Sequence, residues 1–274
     1  MALNNSSFIR WAGGKSWLVP YVKELIDGLD FNNYHEPFMG SASVFFSIDV
    51  PQRSFLSDLN NELVVAFCAV RDNPQRIINY LKEYRTDEEG YYLIRESMPR
   101  GKYQRAARFI YLNTYSFNGL YRVNRQGKFN VPYGKRGNYI INYERLLEAS
   151  KRLKNVVVKC QDFDKSKSTI HQGDLVFLDP PYTVSKKANS LFISYNSKLF
   201  SLGDQYRLAE LVDYIIAQKA YYILTNAAHE KILEIFQGKG RVILRERSSV
   251  IGGREAYRGK VQEYIFTNIP EKGK

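Results

Sequence analysis

The apolar residues of this chain change their spacing twice. Asn33 to Glu36 and Arg53 to Ser57 are short, mostly apolar runs, each followed by a turn and an apolar-periodic stretch, which predicts buried strands in an α/β rhythm. From Leu63 to about Tyr115 the period becomes helical, most clearly in NPQRIINYLKEY and KYQRAARFIYLNTY. The segment NGLYRVNRQGKFNVPYGKRGN, dense in Gly, Asn and basic residues, reads as a hairpin or ordered loop. Strands return from Asn155 as NVVVKC, DLVFLD, AYYILT, RVILRER and KVQEYIFTN, with GDQYRLAELVDYIIAQ as a helix between them. A sheet domain interrupted by a helical insertion accounts for this order, and no internal repeat breaks it.

With 274 residues, 44% of them hydrophobic, the chain can bury the core of one large domain or two modest ones. Its formal charge of +12 is concentrated: thirteen basic and two acidic residues lie between Arg100 and Lys154. The same segment carries Tyr103, Phe109, Tyr111, Tyr115, Phe117, Tyr121, Phe129, Tyr133, Tyr139 and Tyr143. Interleaved cations and rings suit a nucleic-acid face, where charge meets phosphate and rings stack on bases; the same pattern also fits core rings beneath a solvated face. No apolar run is long enough to span a bilayer, and MALNNSSF lacks the features of a signal peptide. Cys68 and Cys160, each in an apolar segment, read as buried thiols of a reducing compartment, so a cytoplasmic protein is expected. No CxxC or HxxxH spacing supports a metal site.

FIRWAGGKSW ends in GGKS, as a phosphate-binding loop would, but Ile9 stands where a Walker loop needs its first glycine. Ser16 is expected to cap a helix bearing Leu18, Tyr21, Val22, Leu25 and Ile26, with Lys15 at its N-terminus facing an anion other than a triphosphate. DPPY, Asp179 to Tyr182, follows a strand, and open α/β sheets bind ligands beyond the C-terminal ends of their strands. Its prolines stiffen the turn and fix the directions of the Asp179 carboxylate and the Pro180 carbonyl. Two fixed acceptors suit an exocyclic amine, a poor nucleophile until its hydrogens are held, and Tyr182 offers a ring on which a base stacks. Upstream, YHEPFMGSASVFF reads as strand, Gly turn and helix, with Glu36 at the strand end and Gly40 in the turn. Asp58, ending the next strand in FLSDLN, is placed as a ribose-binding acid would be. Asp162 and Phe163 in CQDF read either as an adenine contact with an apolar wall or as a surface acid beside a core ring.

WAGGK, EPFMGS, SDLN, NGLYRVN, KFNVPYG and DPPY, in that order from about Phe8 to Asn268, resemble the Dam-type DNA adenine N6 methyltransferases and their relatives in GATC restriction-modification systems. The resemblance implies a Rossmann-like class I methyltransferase sheet with an inserted, mainly helical DNA-recognition domain: 1–62 and 154–274 catalytic, 63–153 recognising duplex DNA. It implies S-adenosylmethionine as methyl donor, no metal, and transfer to the N6 of a flipped adenine in GATC. The catalytic residues it implies are Asp179, Pro180, Pro181 and Tyr182. The cofactor residues are Trp11, Lys15, Glu36, Pro37, Phe38, Gly40, Ser41, Asp58, Asp162, Phe163 and Asp179. Arg10, Leu120, Arg122 and Pro132 align with positions that read bases, Arg122 with a fork suited to guanine, while Phe117 and Asn118 align with groups that fill the duplex after flipping. Asn124, Lys128 and Lys135 complete the expected DNA contacts. Ala42, in place of a second glycine, is expected only to narrow the cofactor turn, and Lys135 to Asn138 depart from Dam at recognition positions. The polar stretch after DPPY is expected to close over the base, and SSVIGGREAYRGK to touch phosphate. The chain is taken as a bacterial or phage-encoded monomer. The alternatives are a methyltransferase using the same motif on RNA adenine or protein glutamine, and a noncatalytic DNA-binding protein.

Overall fold

The strands predicted from the apolar pattern are all present in the computed structural model, which describes residues 7–135, 140–182, 200–248 and 260–271. They are β1 Tyr34–Glu36, β2 Ser54–Asp58, β3 Val156–Cys160, β4 Leu175–Leu178, β5 Tyr221–Ala227, β6 Arg241–Ser248 and β7 Lys260–Thr267. The sheet order is β3-β2-β1-β4-β5-β7-β6. β4 pairs in parallel with β1 and β5, and β7 runs antiparallel between β5 and β6. This is the expected Rossmann-like α/β sheet. The strand order reverses between β1 and β4, the place where such sheets bind ligands, and Glu36 and Asp179 stand at the C-terminal ends of these two strands.

Two compact units divide the chain: Met1–Val19, Met39–Asp49 and Phe55–Gln161 form the first, and Pro20–Phe38, Val50–Ser54 and Asp162–Lys274 the second. In the first, α2 (Asn61–Asp72) packs against α5 (Lys102–Tyr115) and α6 (Tyr143–Leu153), with α3 (Pro74–Glu83) and α4 (Glu88–Glu96) also against α5. α2 buries Leu63, Val64, Ala66, Phe67, Ala69 and Val70, most of its circumference, as a central helix must. Asn60, Asn73, Asp87 and Asn142 cap α2, α3, α4 and α6, each contributing about 1 kcal/mol. In the second unit, α7 (Leu202–Ala217), which opens on a Ser201–Asp204 capping box, and α8 (Glu230–Phe236) cover β4, β5 and β7 through Leu208, Val212, Ile232 and Phe236.

Several expectations need correction. The helix after GGKS, α1, runs Val19–Ile26, so Ser16 does not cap it and Lys15 precedes its first turn. Pro20 explains the shift: it has no N–H for an interior helix bond and is tolerated only in the first turn. The turn after β1 leads to a single 3-10 turn, Phe45–Ser47, and not to an α-helix; Pro51, close behind, leaves no room for one. α6 and α8 lie in stretches where no helix was expected. Cys160 is exposed at the end of the edge strand β3, and Cys68 is half-buried. Four rings of the basic segment are core: Phe109, Tyr111, Tyr115 and Phe129 are buried, whereas Phe117 is exposed. Part of the positive charge is structural too. Arg108 donates to the Ile94 and Arg95 carbonyls at the end of α4, and Arg152 to those of Phe45 and Ile48. Residues 183–199 and 249–259, expected to close over the base and to meet phosphate, lie outside the described residues, as do Arg136, Gly137 and Asn138.

Candidate active site and nucleic-acid interface

In the first unit the expected cofactor residues gather around the turn after β1. Met39 N donates to Ser57 O, and Gly40 N donates to Asp58 Oδ2 at 3.1 Å. Asp58 Oδ1 accepts from Asn60 N at 2.9 Å. Burial pushes the Asp58 carboxyl up, against the backbone N–H bonds that favour its charged form. Gly40 has φ +45°, and a Cβ there would stand 2.7 Å from Trp11 Cδ1, so the turn and the indole require glycine together. Trp11 in turn stacks on Tyr121 at 5.7 Å. Ser41 is buried, and Ala42 takes φ +51°. The substitution at 42 therefore places a Cβ in a left-handed conformation, a larger consequence than a narrowed turn. Lys15 is 4% exposed, and its Nζ donates to Gly13 O at 2.9 Å.

The second unit holds the remaining residues expected at the cofactor and in catalysis. Tyr34 donates to buried Glu36 at 2.8 Å. Burial and then the Glu36 charge raise the Tyr34 phenol well above its ordinary range, which keeps it a donor. Pro37 is buried, and Phe38 stacks on buried Phe163 at 5.1 Å. Arg207 lies over the other partner of that stack, its guanidinium 4.8 Å from the Phe163 centroid, and bonds Asp162 Oδ1 at 2.7 Å. Asp162 Oδ1 also accepts from Asp164 N at 2.9 Å, so the acid expected at adenine has a structural task at its own loop.

Asp179 leaves β4 half-buried, and its Oδ1 accepts from Thr225 Oγ1 on β5 at 2.7 Å. Pro180 is buried and Pro181 half-buried. Tyr182 donates to Glu263 Oε2 at 2.6 Å. Glu263 is fully buried on β7, opposite Ala227 of β5. Burial, then the charges of Glu263 and Asp179, hold the Tyr182 phenol well above its usual range, so it remains protonated and donates. The turn thus presents a carboxylate and a ring whose orientations are set from neighbouring strands. Thr225, Glu263 and Arg207 were absent from the sequence expectations. Glu263 carried one signal, an acid in phase with the buried residues Ile265 and Thr267 of an apolar strand.

The expected DNA residues all belong to the first unit. Phe117–Gly119 form a 3-10 turn after α5, with Asn118 at φ +56°. Isolated bridges pair Ser116 with Tyr133 and Val123 with Phe129, and Asn124 N donates to Lys128 O, giving the hairpin form expected for NGLYRVNRQGKFNVPYG. Arg10, Phe117, Asn118, Arg122, Asn124, Lys128, Pro132 and Lys135 are exposed, and Leu120 is half-buried. Arg122 Nε donates to Asn130 Oδ1 at 2.9 Å, which holds the guanidinium in the hairpin. Lys135 has φ +47°. Among the described residues no helix is long and apolar enough to cross a membrane, and no group of three His, Cys, Asp or Glu is placed to hold a metal ion.

Comparison with known proteins places the chain among DNA methyltransferases. A Type II methyltransferase of Lactococcus lactis subsp. cremoris, M1.LlaDCHI, is 33% identical over 277 residues, covering 97% of this chain and 96% of the relative. The Type II methyltransferase M.MjaIII of Methanocaldococcus jannaschii is 34% identical over 80% of this chain and 83% of its own length. The DNA adenine methylase of Escherichia coli K12 is 30% identical over 97% of this chain and 96% of its own. The family model for D12 class N6 adenine-specific DNA methyltransferases matches residues 11–250. The chain belongs to this family and is an adenine-specific DNA methyltransferase.

Proposed function

We propose that the protein methylates the N6 of adenine in GATC within duplex DNA, using S-adenosylmethionine and acting on a base turned out of the helix. The observation that carries this reading is the DPPY turn, where Thr225 orients the Asp179 carboxylate and Glu263 orients the Tyr182 ring. Trp11, Lys15, Glu36, Pro37, Phe38, Gly40, Ser41, Asp58, Asp162 and Phe163 are assigned to the methyl donor. The residues present suit such a ligand, with carboxylates for ribose hydroxyls, the Phe38–Phe163 pair for an adenine ring and a buried lysine for a carboxylate. Bound there, S-adenosylmethionine supplies an electrophilic methyl group on sulfonium.

The chain's own groups prepare the nucleophile. Asp179 and the Pro180 carbonyl accept the two hydrogens of the adenine amine, localising its lone pair on nitrogen, and Pro181 stiffens the turn. As positive charge develops on that nitrogen, the Asp179 carboxylate stabilises it at no cost in reorganisation. Tyr182 stacks on the displaced base. Residues 63–153 form the recognition domain in this reading. Arg10, Leu120, Arg122 and Pro132 meet base edges, Phe117 and Asn118 fill the gap, and Asn124, Lys128 and Lys135 contact the backbone. The enzyme works as a cytoplasmic monomer, bacterial or phage-encoded.

Labelled S-adenosylmethionine, offered with duplex DNA, duplex RNA and protein extract, tests the substrate class, and DNA duplexes altered at single base pairs test the site. Label in DNA alone, confined to GATC, is expected. Label in RNA or protein, or DNA methylation independent of the GATC bases, overturns the reading.

A further inference from the structure

Asn113 stands near the end of α5 with 2% exposure. Its amide is bonded to backbone on two separate segments, one of them distant in the chain. Oδ1 accepts from Arg10 N at 2.9 Å while Nδ2 donates to Arg10 O at 2.8 Å, so one side chain satisfies both main-chain polar groups of a residue 103 positions away. Nδ2 also donates to Gly119 O at 3.2 Å, inside the turn that carries Phe117, Asn118 and Leu120. The two segments also meet directly. Gly119 takes φ +66°, and a Cβ there would lie 2.9 Å from Arg10 Cδ. The turn is secured from its other side by Phe117 N donating to Pro132 O at 2.9 Å and Ser116 Oγ to Leu120 O at 3.0 Å.

We propose that Asn113 is a specificity-positioning residue that locks Arg10 and the Phe117–Leu120 turn at one fixed spacing, so that discrimination at the base positions these two elements read is coupled. The inference rests on the reading above that Arg10 and Leu120 meet bases. Arginine has a long, flexible side chain, and its discrimination depends on placing its donors within about 0.5 Å of the required geometry. An exposed arginine gains that precision only when its backbone is held, and here a buried amide holds it. Because the same amide holds Gly119, a displacement of one reader is transmitted to the other.

The test compares Asn113→Ala, Gly119→Ala, Arg10→Ala and Leu120→Ala by single-turnover methylation of a GATC duplex and of duplexes altered at one base pair. Thermal melting and calorimetry of S-adenosylmethionine binding accompany each variant. Arg10→Ala and Leu120→Ala should each relax discrimination at its own position, whereas Asn113→Ala should relax both by about tenfold or more. S-adenosylmethionine affinity should fall far less than discrimination, as the Asn113 amide bonds the backbone of Arg10 and Gly119, neither of them assigned to that ligand. If Asn113→Ala does not fold, Gly119→Ala, which drives a methyl group into the Arg10 stem, must show the same double relaxation. Relaxation confined to one position, or an equal slowing on every duplex, overturns the coupling while leaving base reading intact. If Arg10→Ala and Leu120→Ala leave every ratio unchanged, the base-reading assignment fails, and the coupling with it.

Discussion

The hydroxyl of Tyr182 donates to the buried carboxylate of Glu263 at 2.6 Å. This bond ties the last residue of the DPPY turn to β7, the antiparallel strand between β5 and β6. Beside it, Thr225 on β5 holds Asp179. The reversed strand therefore has a chemical use: it supplies the acceptor for Tyr182 at the DPPY turn, while the parallel neighbour β5 supplies the donor to Asp179.

Glu263→Gln keeps an acceptor and should retain most of the single-turnover rate. Glu263→Ala removes it and should cost about 1.5 to 3 kcal/mol of transition-state stabilisation, the range for a hydrogen bond to a charged group. In a Tyr182→Phe background the same change should cost far less, because its partner hydroxyl is already gone. Single-turnover rates of the four combinations measure this coupling, and strictly additive losses would detach Glu263 from Tyr182.

Ala42→Gly should stabilise the protein. A left-handed conformation costs a non-glycine residue roughly 1 to 2 kcal/mol, and the entropy of an added glycine returns about 0.4 to 1 kcal/mol of that. A gain of up to about 1.6 kcal/mol is expected for a residue at φ +51°. Urea denaturation of the two proteins checks it, and a lower midpoint for the glycine variant would show that the turn tolerates its alanine.

Asp174 should govern part of the acid stability. Burial pushes its carboxyl up, but hydrogen bonds from His35, from the His171 N–H and from the Asn33 N–H outweigh burial and hold it below its ordinary range. A depressed carboxyl stabilises the fold fully above the unfolded value of about 3.9 and loses that contribution as pH falls through the folded value. Asp174→Asn should lower the melting temperature at pH 7 and flatten its decline below about pH 4. Melting curves across that range would contradict this if the two proteins declined in parallel.

The strands, α2 to α5 and α7 were legible from their period, as in the apolar run of DLVFLD or the helical spacing of NPQRIINYLKEY. α6 was hidden by its charge, although Leu146, Ala149 and Leu153 mark a helical stripe behind an Asn142 cap. The rings of the basic segment misled for the opposite reason, since composition does not say which way a ring points. Asp179 and Tyr182 could be found from a tetrapeptide and its place after a strand. Thr225 and Asn113 could not, and Glu263 showed only as an acid in phase with buried strand residues: each acts on a residue at least 46 positions away, and only the strand order and the packing of α5 bring them together.

The most direct test of the account is Asp179→Asn in single-turnover methylation of a GATC duplex with saturating S-adenosylmethionine. The amide keeps the size and one acceptor oxygen but loses the charge that stabilises the developing cation, so the rate should fall by about two orders of magnitude or more. Affinities for S-adenosylmethionine and for DNA, followed by calorimetry and by 2-aminopurine fluorescence at the target base, should fall far less. Methyl transfer near the wild-type rate would make Asp179 a turn residue only and would contradict the assignment of the active site.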